Sequence, residues 1–172
     1  MKKFPTMSML NLFLLVVLTL SVVHCQDDDA VERDRCDGSW WKQFGNGCYY
    51  YFHDPKGWHS ARKMCQAYGS DLVCISSREE NDFVTDMTQG TKSWIGLRDK
   101  YPYADMTDPR EKPEDQWLWT DTSPYRYTNW AEGQPSGIQD CVQINYGGKG
   151  KWDDEDYWMK LGFVCEKLQI EN

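Results

Sequence analysis

The sequence has 172 residues, 27 of them acidic and 19 basic, with a formal net charge of −8. This length indicates one ordinary domain. At 40% hydrophobic and 15% aromatic, the chain can build a core, which excludes wholesale disorder. The acidic balance argues against nucleic-acid binding, because attraction to phosphates needs an excess of lysine and arginine. It is compatible with a cation such as calcium, which prefers oxygen ligands.

The N-terminal residues have the pattern of a secretory signal peptide. Two lysines precede the apolar stretch 12–23, and Val23-His24-Cys25 fits cleavage before Gln26. The alternative is a signal anchor, because this stretch carries no charge, but the apolar run is shorter than a bilayer span requires. We therefore expect residues 1–25 to be removed and the mature chain to be secreted without a membrane span.

Removal of the signal peptide leaves six of the seven cysteines. They are Cys36, Cys48, Cys65, Cys74, Cys141 and Cys165. An even number of cysteines in a secreted chain favours disulfides, with fifteen possible pairings.

The first part of the mature chain changes from charged to aromatic. Residues 26–35 have almost nothing to bury and are expected to form an acidic, flexible arm. After Cys36 the sequence becomes rich in tryptophan, tyrosine and phenylalanine. Gly45-Asn46-Gly47 is a strong turn signal between β-prone runs, so a hairpin is predicted there.

Two helices are predicted next, separated by a short buried strand at 72–75. Apolar residues recur at helical spacing after Ser60, and Gly69 can end the first helix. Ser76-Ser77 stands three residues before Glu79-Glu80, which is a capping-box pattern at the start of a second helix.

The C-terminal half has the pattern of strands and long loops. Strands are predicted at 94–97, 117–119, 141–144 and 163–165. The segment 98–116 is rich in proline and carboxylates, and a loop of that length is usually functional or mobile. Its charges are interpreted as a solvated surface, with Asp99 the strongest candidate for an additional calcium ligand. The glycine-rich run 147–151 is predicted to be a turn.

The order of motifs along the chain resembles the C-type lectin-like domain. The motifs are Cys65, Trp94-Ile95-Gly96-Leu97, Trp117-Leu118-Trp119-Thr120-Asp121, Asn129-Trp130, Gln134-Pro135-Ser136, Asp140-Cys141, Trp152-Asp153-Asp154 and Phe163-Val164-Cys165-Glu166. The resemblance covers residues 36–167 and leaves a tail at 168–172. It implies an α+β fold with two helices, small antiparallel sheets and a long loop region, stapled by disulfides.

The resemblance also implies two disulfides, Cys36–Cys48 and Cys65–Cys165. In the family, the cysteine equivalent to Cys141 pairs with a position that is Tyr157 here. Because Cys74 is an additional thiol, we expect a replacement bridge, Cys74–Cys141. The alternative is that these two cysteines are buried free thiols.

Sugar-binding members of this family hold one calcium ion through a Glu-Pro-Asn or Gln-Pro-Asp tripeptide, a carboxylate before the third cysteine and a Trp-Asn-Asp motif. The same ligands hydrogen-bond two sugar hydroxyls that also touch the metal. The matching positions in this sequence are Gln134, Ser136, Gln139, Asp153 and Asp154. Calcium takes six to eight oxygens and leaves positions open for hydroxyls.

Three of these positions depart from the motifs of the family, and Gln134 matches the Gln-Pro-Asp form rather than the mannose-type Glu-Pro-Asn form. Ser136 replaces Asn or Asp, Gln139 replaces Glu, and Asp153 replaces Asn. Two carboxylates then remain where the mannose-type set has three, so the single calcium site is predicted to be weak. Gln134 and Gln139 can donate hydrogen bonds to sugar hydroxyls at positions where the acids of mannose-type members accept them. This reversal favours galactose or N-acetylgalactosamine.

The sugar contacts are expected from a subset of these residues together with one aromatic ring. The expected residues are Gln134, Ser136, Gln139, Asp153 and Trp152. Trp152 is assigned either to stacking on the sugar or to core packing beside the site. Tyr146, Tyr157 and Trp158 are the other aromatic candidates.

The sequence is compatible with two functions. The first is a secreted calcium-dependent lectin that recognises glycans, with oligomerisation as a source of avidity. The second is a module of the same fold that binds protein, mineral or another surface without calcium, in which residues 134–139 form an ordinary polar loop. Catalysis is not expected, because the mature chain has only His53 and His59 and lacks a nucleophile–base arrangement.

Overall fold

The computed structural model describes Cys36, residues 40–101 and residues 116–168. The chain divides into two units, Met1–Arg33 and Asp34–Asn172, and all described residues lie in the second. The predicted signal peptide, the predicted acidic arm and residues 102–115 of the predicted loop lie outside the described residues.

The first two strands form the predicted hairpin. Strands β1 (Lys42–Phe44) and β2 (Gly47–Lys56) pair antiparallel, with Gln43 opposite Cys48. Gly45 occupies the turn with φ of 54°, a left-handed conformation that glycine adopts without steric strain. Side chains alternate along β2, so Tyr49 and Tyr51 are buried on one face while the tyrosine and phenylalanine between and after them face the other side.

Both predicted helices are present. Helix α1 (Trp58–Ala67) begins before Ser60, because the Ala61 N–H already donates to the carbonyl of Gly57 at 2.9 Å. Helix α2 (Arg78–Met87) begins after Ser77, whose hydroxyl accepts from the Glu80 N–H at 3.1 Å. The capping box is displaced by one residue, since the Glu80 carboxylate binds the N–H and hydroxyl of Ser76 rather than those of Ser77.

Six further strands complete one sheet. They are β3 (Asp71–Leu72), β4 (Ser93–Asp99), β5 (Trp117–Trp119), β6 (Cys141–Ile144), β7 (Trp152–Glu155) and β8 (Leu161–Leu168). The order is β1-β2-β8-β4-β6-β7, with β3 on β8 and β5 on β4. Only the β4–β8 pair is parallel among these described strands. The helices and the sheet confirm the predicted α+β class.

The strand that bears the two adjacent aspartates lies at one end of this sheet. Strand β7 pairs antiparallel with β6, so that Gln143 faces Asp153 and Val142 faces Asp154. Its first residue, Trp152, belongs to a buried cluster that also contains Val84 and Trp119. None of the helices in the described part of the chain has the length and apolar character of a membrane span.

Two of the three expected disulfides are confirmed. The bridges Cys36–Cys48 and Cys65–Cys165 are formed, the second across a separation of 100 residues. The expected Cys74–Cys141 bridge is wrong, because both cysteines are free and buried. They lie in different buried clusters, and the Cys74 thiol contacts the carbonyl of Leu72 and the hydroxyl of Thr120, each at 3.5 Å.

This arrangement predicts two free thiols in the mature protein. Burial raises the pKa of both thiols, Cys74 and Cys141, so they stay protonated and unreactive in the folded state. Titration with a thiol reagent should therefore detect neither in native protein and both after denaturation without reductant. A denatured, unreduced sample that yields no thiol would contradict the structure and restore the bridge between them.

A pair of carboxylates shares the hydroxyl of Tyr49 near the start of α2. The hydroxyl lies 2.8 Å from the buried carboxylate of Glu80 and 3.1 Å from that of Glu166 on β8. Burial, with a smaller contribution from the Glu80 charge, raises the pKa of Glu166 from 4.5 to about 7. The burial and the two carboxylates also raise the pKa of the Tyr49 hydroxyl.

This cluster predicts a pH dependence of stability. Because Glu166 holds its proton more tightly in the folded state, stability should fall as pH rises from about 4.5 to about 7, by roughly 2–3 kcal/mol from this group. Glu166→Gln should flatten this part of the curve of unfolding free energy against pH. Denaturant titrations of both proteins across that range measure it, and parallel curves would contradict the assignment.

Candidate functional site

The predicted site residues 134–139 form a loop that lies against β7. The peptide bond between Gln134 and Pro135 is cis. Gly137 has φ of 76°, a left-handed conformation open to glycine, with no other group within 4 Å of where a Cβ would stand. The loop turns there and directs several backbone N–H groups toward a single side chain of the strand, Asp154.

Asp154 is the centre of these contacts and is only 3% exposed. Its Oδ1 accepts from the Ser136 N–H at 2.6 Å. Its Oδ2 accepts from the Gly137 N–H at 2.9 Å, from the Gln139 N–H at 3.2 Å, and lies 2.7 Å from the Ser136 hydroxyl. Backbone donors from the loop therefore surround a buried carboxylate, and both of its oxygens accept hydrogen bonds within the protein.

The hydroxyl of Ser136 links two of the predicted ligands. Its oxygen lies 2.5 Å from Oε1 of Gln139 and 2.7 Å from Oδ2 of Asp154. A hydroxyl has one hydrogen to donate, so it serves one of these acceptors at a time. The structure thus brings Ser136, Gln139 and Asp154 into direct contact, as the resemblance implied.

The side chain of Asp153 makes a hydrogen bond that is separate from the contacts of Asp154 and that the sequence did not predict. It is 4% exposed, and its Oδ2 accepts from Nε2 of Gln143 at 2.8 Å. The same Nε2 lies 3.2 Å from the carboxylate of Glu155. Burial raises the pKa of Asp153, the Asp154 and Glu155 charges add to the rise, and the Gln143 hydrogen bond opposes it. Gln143 therefore positions the first aspartate of the pair.

Two buried amide oxygens have no hydrogen-bond partner among the described residues. They are Oε1 of Gln134 and Oε1 of Gln143. A buried carbonyl oxygen without a partner is costly, and such groups call for a bound ion or water. Gln134 is the first residue of the predicted ligand set, so its unpartnered oxygen coincides with a position where the resemblance implies a ligand.

Trp152 is not a sugar-stacking residue, which corrects the expectation from the sequence. Its side chain is fully buried, and its indole N–H donates to Oδ1 of Asn81 at 2.8 Å. The rings of Trp119, Tyr127 and Trp130 surround it at centroid distances of 5.6–5.9 Å. A ring enclosed on this scale has no face open to a ligand, and it packs the core beneath β7.

The other aromatic candidates retain exposed surface. Tyr157 and Trp158 are 44% and 57% exposed. The ring of Tyr157 contacts that of His59 at 5.4 Å, and the ammonium of Lys92 lies 4.6 Å from the Tyr146 ring centre. Among the described residues, no hydrogen bond or aromatic ring contact joins these rings to the 134–139 loop.

The acidic segment 98–116 is described only at its ends. Asp99 is 1% exposed, and its Oδ1 accepts from the Tyr101 N–H at 2.7 Å. The other carboxylates of this segment, at positions 105, 108, 111, 114 and 115, lie outside the described residues. Within 40–101 and 116–168, no group of three or more His, Cys, Asp or Glu side chains is placed to hold a metal ion.

The donor chemistry around the loop nevertheless fits calcium. All five predicted ligands offer oxygen, two of them as adjacent carboxylates, and one offers a buried carbonyl oxygen that no described group satisfies. Calcium prefers such hard oxygen ligands. Two carboxylates instead of three reduce the charge available to hold the ion, so a weak site remains the prediction.

Comparison with known proteins identifies the family. The profile of the lectin C-type domain matches residues 54–167. Human asialoglycoprotein receptor 2 is 32% identical over 162 residues, which cover 86% of this chain and 47% of the receptor. A perlucin-like protein of Mytilus galloprovincialis is 37% identical over 133 residues, which cover 73% of this chain and 79% of that protein. The chain thus spans about half the length of the receptor.

Solved structures agree with this result. The carbohydrate-recognition domain of cow CD23, crystallised with a GlcNAc2Man3 oligosaccharide, is 34% identical with a TM-score of 0.64, covering 78% of this chain and 97% of that domain. A calcium-independent type II antifreeze protein is 25% identical with a TM-score of 0.65, covering 77% of this chain and 95% of its own. The chain belongs to the C-type lectin domain family, and its fold is the C-type lectin-like fold.

Proposed function

We propose that this protein is a secreted, calcium-dependent lectin that binds glycans at the 134–139 loop and β7, with a preference for galactose or N-acetylgalactosamine. The observation that carries the proposal is the loop closed on Asp154, together with the buried oxygen of Gln134 in the same loop, which has no hydrogen-bond partner among the described residues. The glycan-related names of the asialoglycoprotein receptor and of the CD23 domain support it. The two disulfides agree with an extracellular location.

Five side chains would hold the calcium ion in this proposal: Gln134, Ser136, Gln139, Asp153 and Asp154. Calcium, when bound, supplies open coordination positions that neighbouring sugar hydroxyls fill. The protein's part is to fix the ligands, and Asp154 does so by drawing three backbone N–H groups of the loop onto one carboxylate. The Ser136 hydroxyl has one hydrogen, which it donates either to Asp154 or to Gln139.

The preference for galactose rests on which atoms donate and which accept. With its Oε1 committed to the ion, Gln134 presents its amide NH2 as a donor where a glutamate would accept. Asp153 accepts where an asparagine would donate. The order of donors and acceptors around the ion is therefore reversed relative to the mannose-type set.

A second candidate function is binding without calcium. The calcium-independent antifreeze protein shares the fold with a TM-score of 0.65. In this chain, three loop N–H groups already donate hydrogen bonds to the Asp154 carboxylate. In this second function the target is a protein, mineral or other non-sugar surface. The 134–139 loop then has a structural role and does not bind an ion.

A glycan array probed with and without a chelator separates the two functions. The mature protein should bind galactose-terminated glycans in millimolar calcium and lose them when the chelator is added. Binding that is insensitive to chelator at every positive spot and survives Asp154→Ala would count against the first function.

The identity of residues 134 and 136 is expected to set the preference between galactose and mannose. The double change Gln134→Glu with Ser136→Asn restores the mannose-type tripeptide, adds a third carboxylate and should raise calcium affinity. The galactose-to-mannose ratio of binding on the array should fall by about tenfold, since one reversed hydrogen-bond pair is worth roughly 1–2 kcal/mol. An unchanged ratio with intact calcium binding would refute the argument.

A further inference from the structure

A cleft whose lining, among the described residues, consists of aromatic side chains lies at the opposite end of the sheet from β7. Its volume is about 310 Å³, and it is lined by Trp40, Trp41, Tyr50, Phe52 and Tyr68. We call these five residues the aromatic cleft. Strands β1 and β2 form one end of the sheet order and β6 and β7 the other, so the cleft is separate from the predicted calcium site.

Four of the five rings of the aromatic cleft form a continuous series. Trp41 and Tyr50 have centroids 5.9 Å apart, Tyr50 and Phe52 4.6 Å, and Phe52 and Tyr68 5.4 Å. Tyr50 and Phe52 lie on β2, and Tyr68 caps the C-terminal end of α1. Trp40 and Trp41 directly precede β1. The Cys36–Cys48 bridge ties the chain just before Trp40 to β2.

Several of these rings remain exposed although they are large. Trp40 is 73% exposed and Tyr68 is 56% exposed. Contiguous exposed aromatic surface of this kind marks a binding site more often than a scattered apolar residue does. The ammonium of Lys167 lies 4.9 Å from the Trp41 ring centre and adds a donor at the rim.

The polar tips of these rings indicate what binds. Within the described residues, no hydrogen bond engages the indole N–H of Trp40 or Trp41, or the hydroxyl of Tyr50 or Tyr68. By contrast, four of the more buried indoles donate: Trp58 to a carbonyl, Trp94 to a carbonyl, Trp130 to a hydroxyl and Trp152 to an amide oxygen. The buried indoles of Trp117 and Trp119 make no hydrogen bond to another described residue.

We propose that the aromatic cleft is a second, calcium-independent saccharide site that binds a pyranose ring by stacking. A pyranose has an apolar C–H face for the rings and hydroxyls around its edge for the four unused polar tips. A purely apolar occupant, such as an aliphatic peptide segment, would leave those tips without partners. The volume is at the lower end of the roughly 300–1,000 Å³ range of ligand pockets, and suits one sugar ring.

This second site does not depend on the calcium site. The chain would carry two saccharide sites at opposite ends of one sheet, so a single molecule could bridge two glycan chains. Only one of the two sites would respond to a chelator.

The test uses the indole N–H signals of the mature protein in a nitrogen–proton correlation spectrum, recorded in EDTA. The probes are methyl β-galactopyranoside, methyl α-mannopyranoside and N,N′-diacetylchitobiose. At least one should shift the Trp40 and Trp41 signals, assigned through Trp→Phe variants, and leave the buried Trp94 and Trp152 signals in place. Tyr68→Ala should weaken this binding by about two- to tenfold.

Two controls separate this proposal from the first. Trp158 lies outside the cleft and is about as exposed as Tyr68, 57% against 56%. Trp158→Ala should therefore leave the titration in EDTA unchanged. Asp154→Ala should also leave it unchanged, although it removes the predicted calcium-dependent binding. The proposal is overturned if none of the three probes shifts Trp40 or Trp41, or if these signals move with protein concentration alone, because the occupant is then a second copy of the chain.

Discussion

Replacing Asp154 with alanine is expected to abolish the EDTA-sensitive retention of the protein on galactose resin and to lower its stability by about 2–4 kcal/mol. The stability loss follows because three backbone N–H groups of the loop lose their shared acceptor in a site that is 3% exposed. The binding loss follows because the change removes one of only two carboxylates in the predicted ligand set. Resin chromatography and denaturant unfolding measure the two effects.

A matched control isolates the site from the general effect of removing a carboxylate. Asp86 is exposed on α2, so Asp86→Ala should leave both retention and stability within about 0.5 kcal/mol of the parent. Calcium should raise the melting temperature of the parent and of Asp86→Ala but not of Asp154→Ala. EDTA-sensitive retention of Asp154→Ala on the resin would show that the site is assigned to the wrong residues.

Replacing Trp152 with alanine is expected to lower stability by about 3–5 kcal/mol, because the ring is fully buried among other aromatic rings. The cavity lies directly beneath the aspartate pair, and the change also leaves the Asn81 amide without its indole donor. The fraction of folded protein and its unfolding midpoint measure this effect.

The conservative change Trp152→Phe separates core packing from sugar stacking. It keeps an aromatic ring but loses the hydrogen bond to Asn81, so stability should fall by about 1–3 kcal/mol. Galactose affinity of the folded protein should stay unchanged, because the buried ring has no face open to a ligand. A selective loss of galactose affinity at full stability would restore Trp152 as a sugar contact.

Much of the scaffold was predictable because its signals are local. The Gly45-Asn46-Gly47 turn produced the hairpin, and Ser77 caps α2 through the Glu80 N–H. Tryptophans two residues apart at 117 and 119 share a buried face, as the alternation of a strand requires. The two confirmed disulfides followed from the family resemblance and not from spacing.

The errors came from contacts between segments distant in sequence. Cys74 and Cys141 are both buried, but their side chains enter different clusters, which no count of cysteines can reveal. Trp152 precedes the aspartate pair as a sugar-stacking residue would, and its burial depends on Trp119 and Trp130 from other elements. In both cases tertiary packing decided between alternatives that the sequence left open.

The site was partly predictable in the same sense. The motifs located Ser136, Gln139 and Asp154, and the structure joins them. Gln143 was missed because its role depends on the β6–β7 register, which places it opposite Asp153. The loop N–H groups were missed because backbone donors leave no mark in residue identity. The alternation of buried and outward aromatic residues in β2 was the available signal for the aromatic cleft.

Isothermal titration of calcium into the mature protein tests the central claim most directly. The account predicts one ion bound per chain in the weak range of extracellular modules, with a dissociation constant of about 10⁻⁴–10⁻³ M, and no binding by Asp154→Ala. Parent protein that takes up no calcium at millimolar concentrations would contradict it.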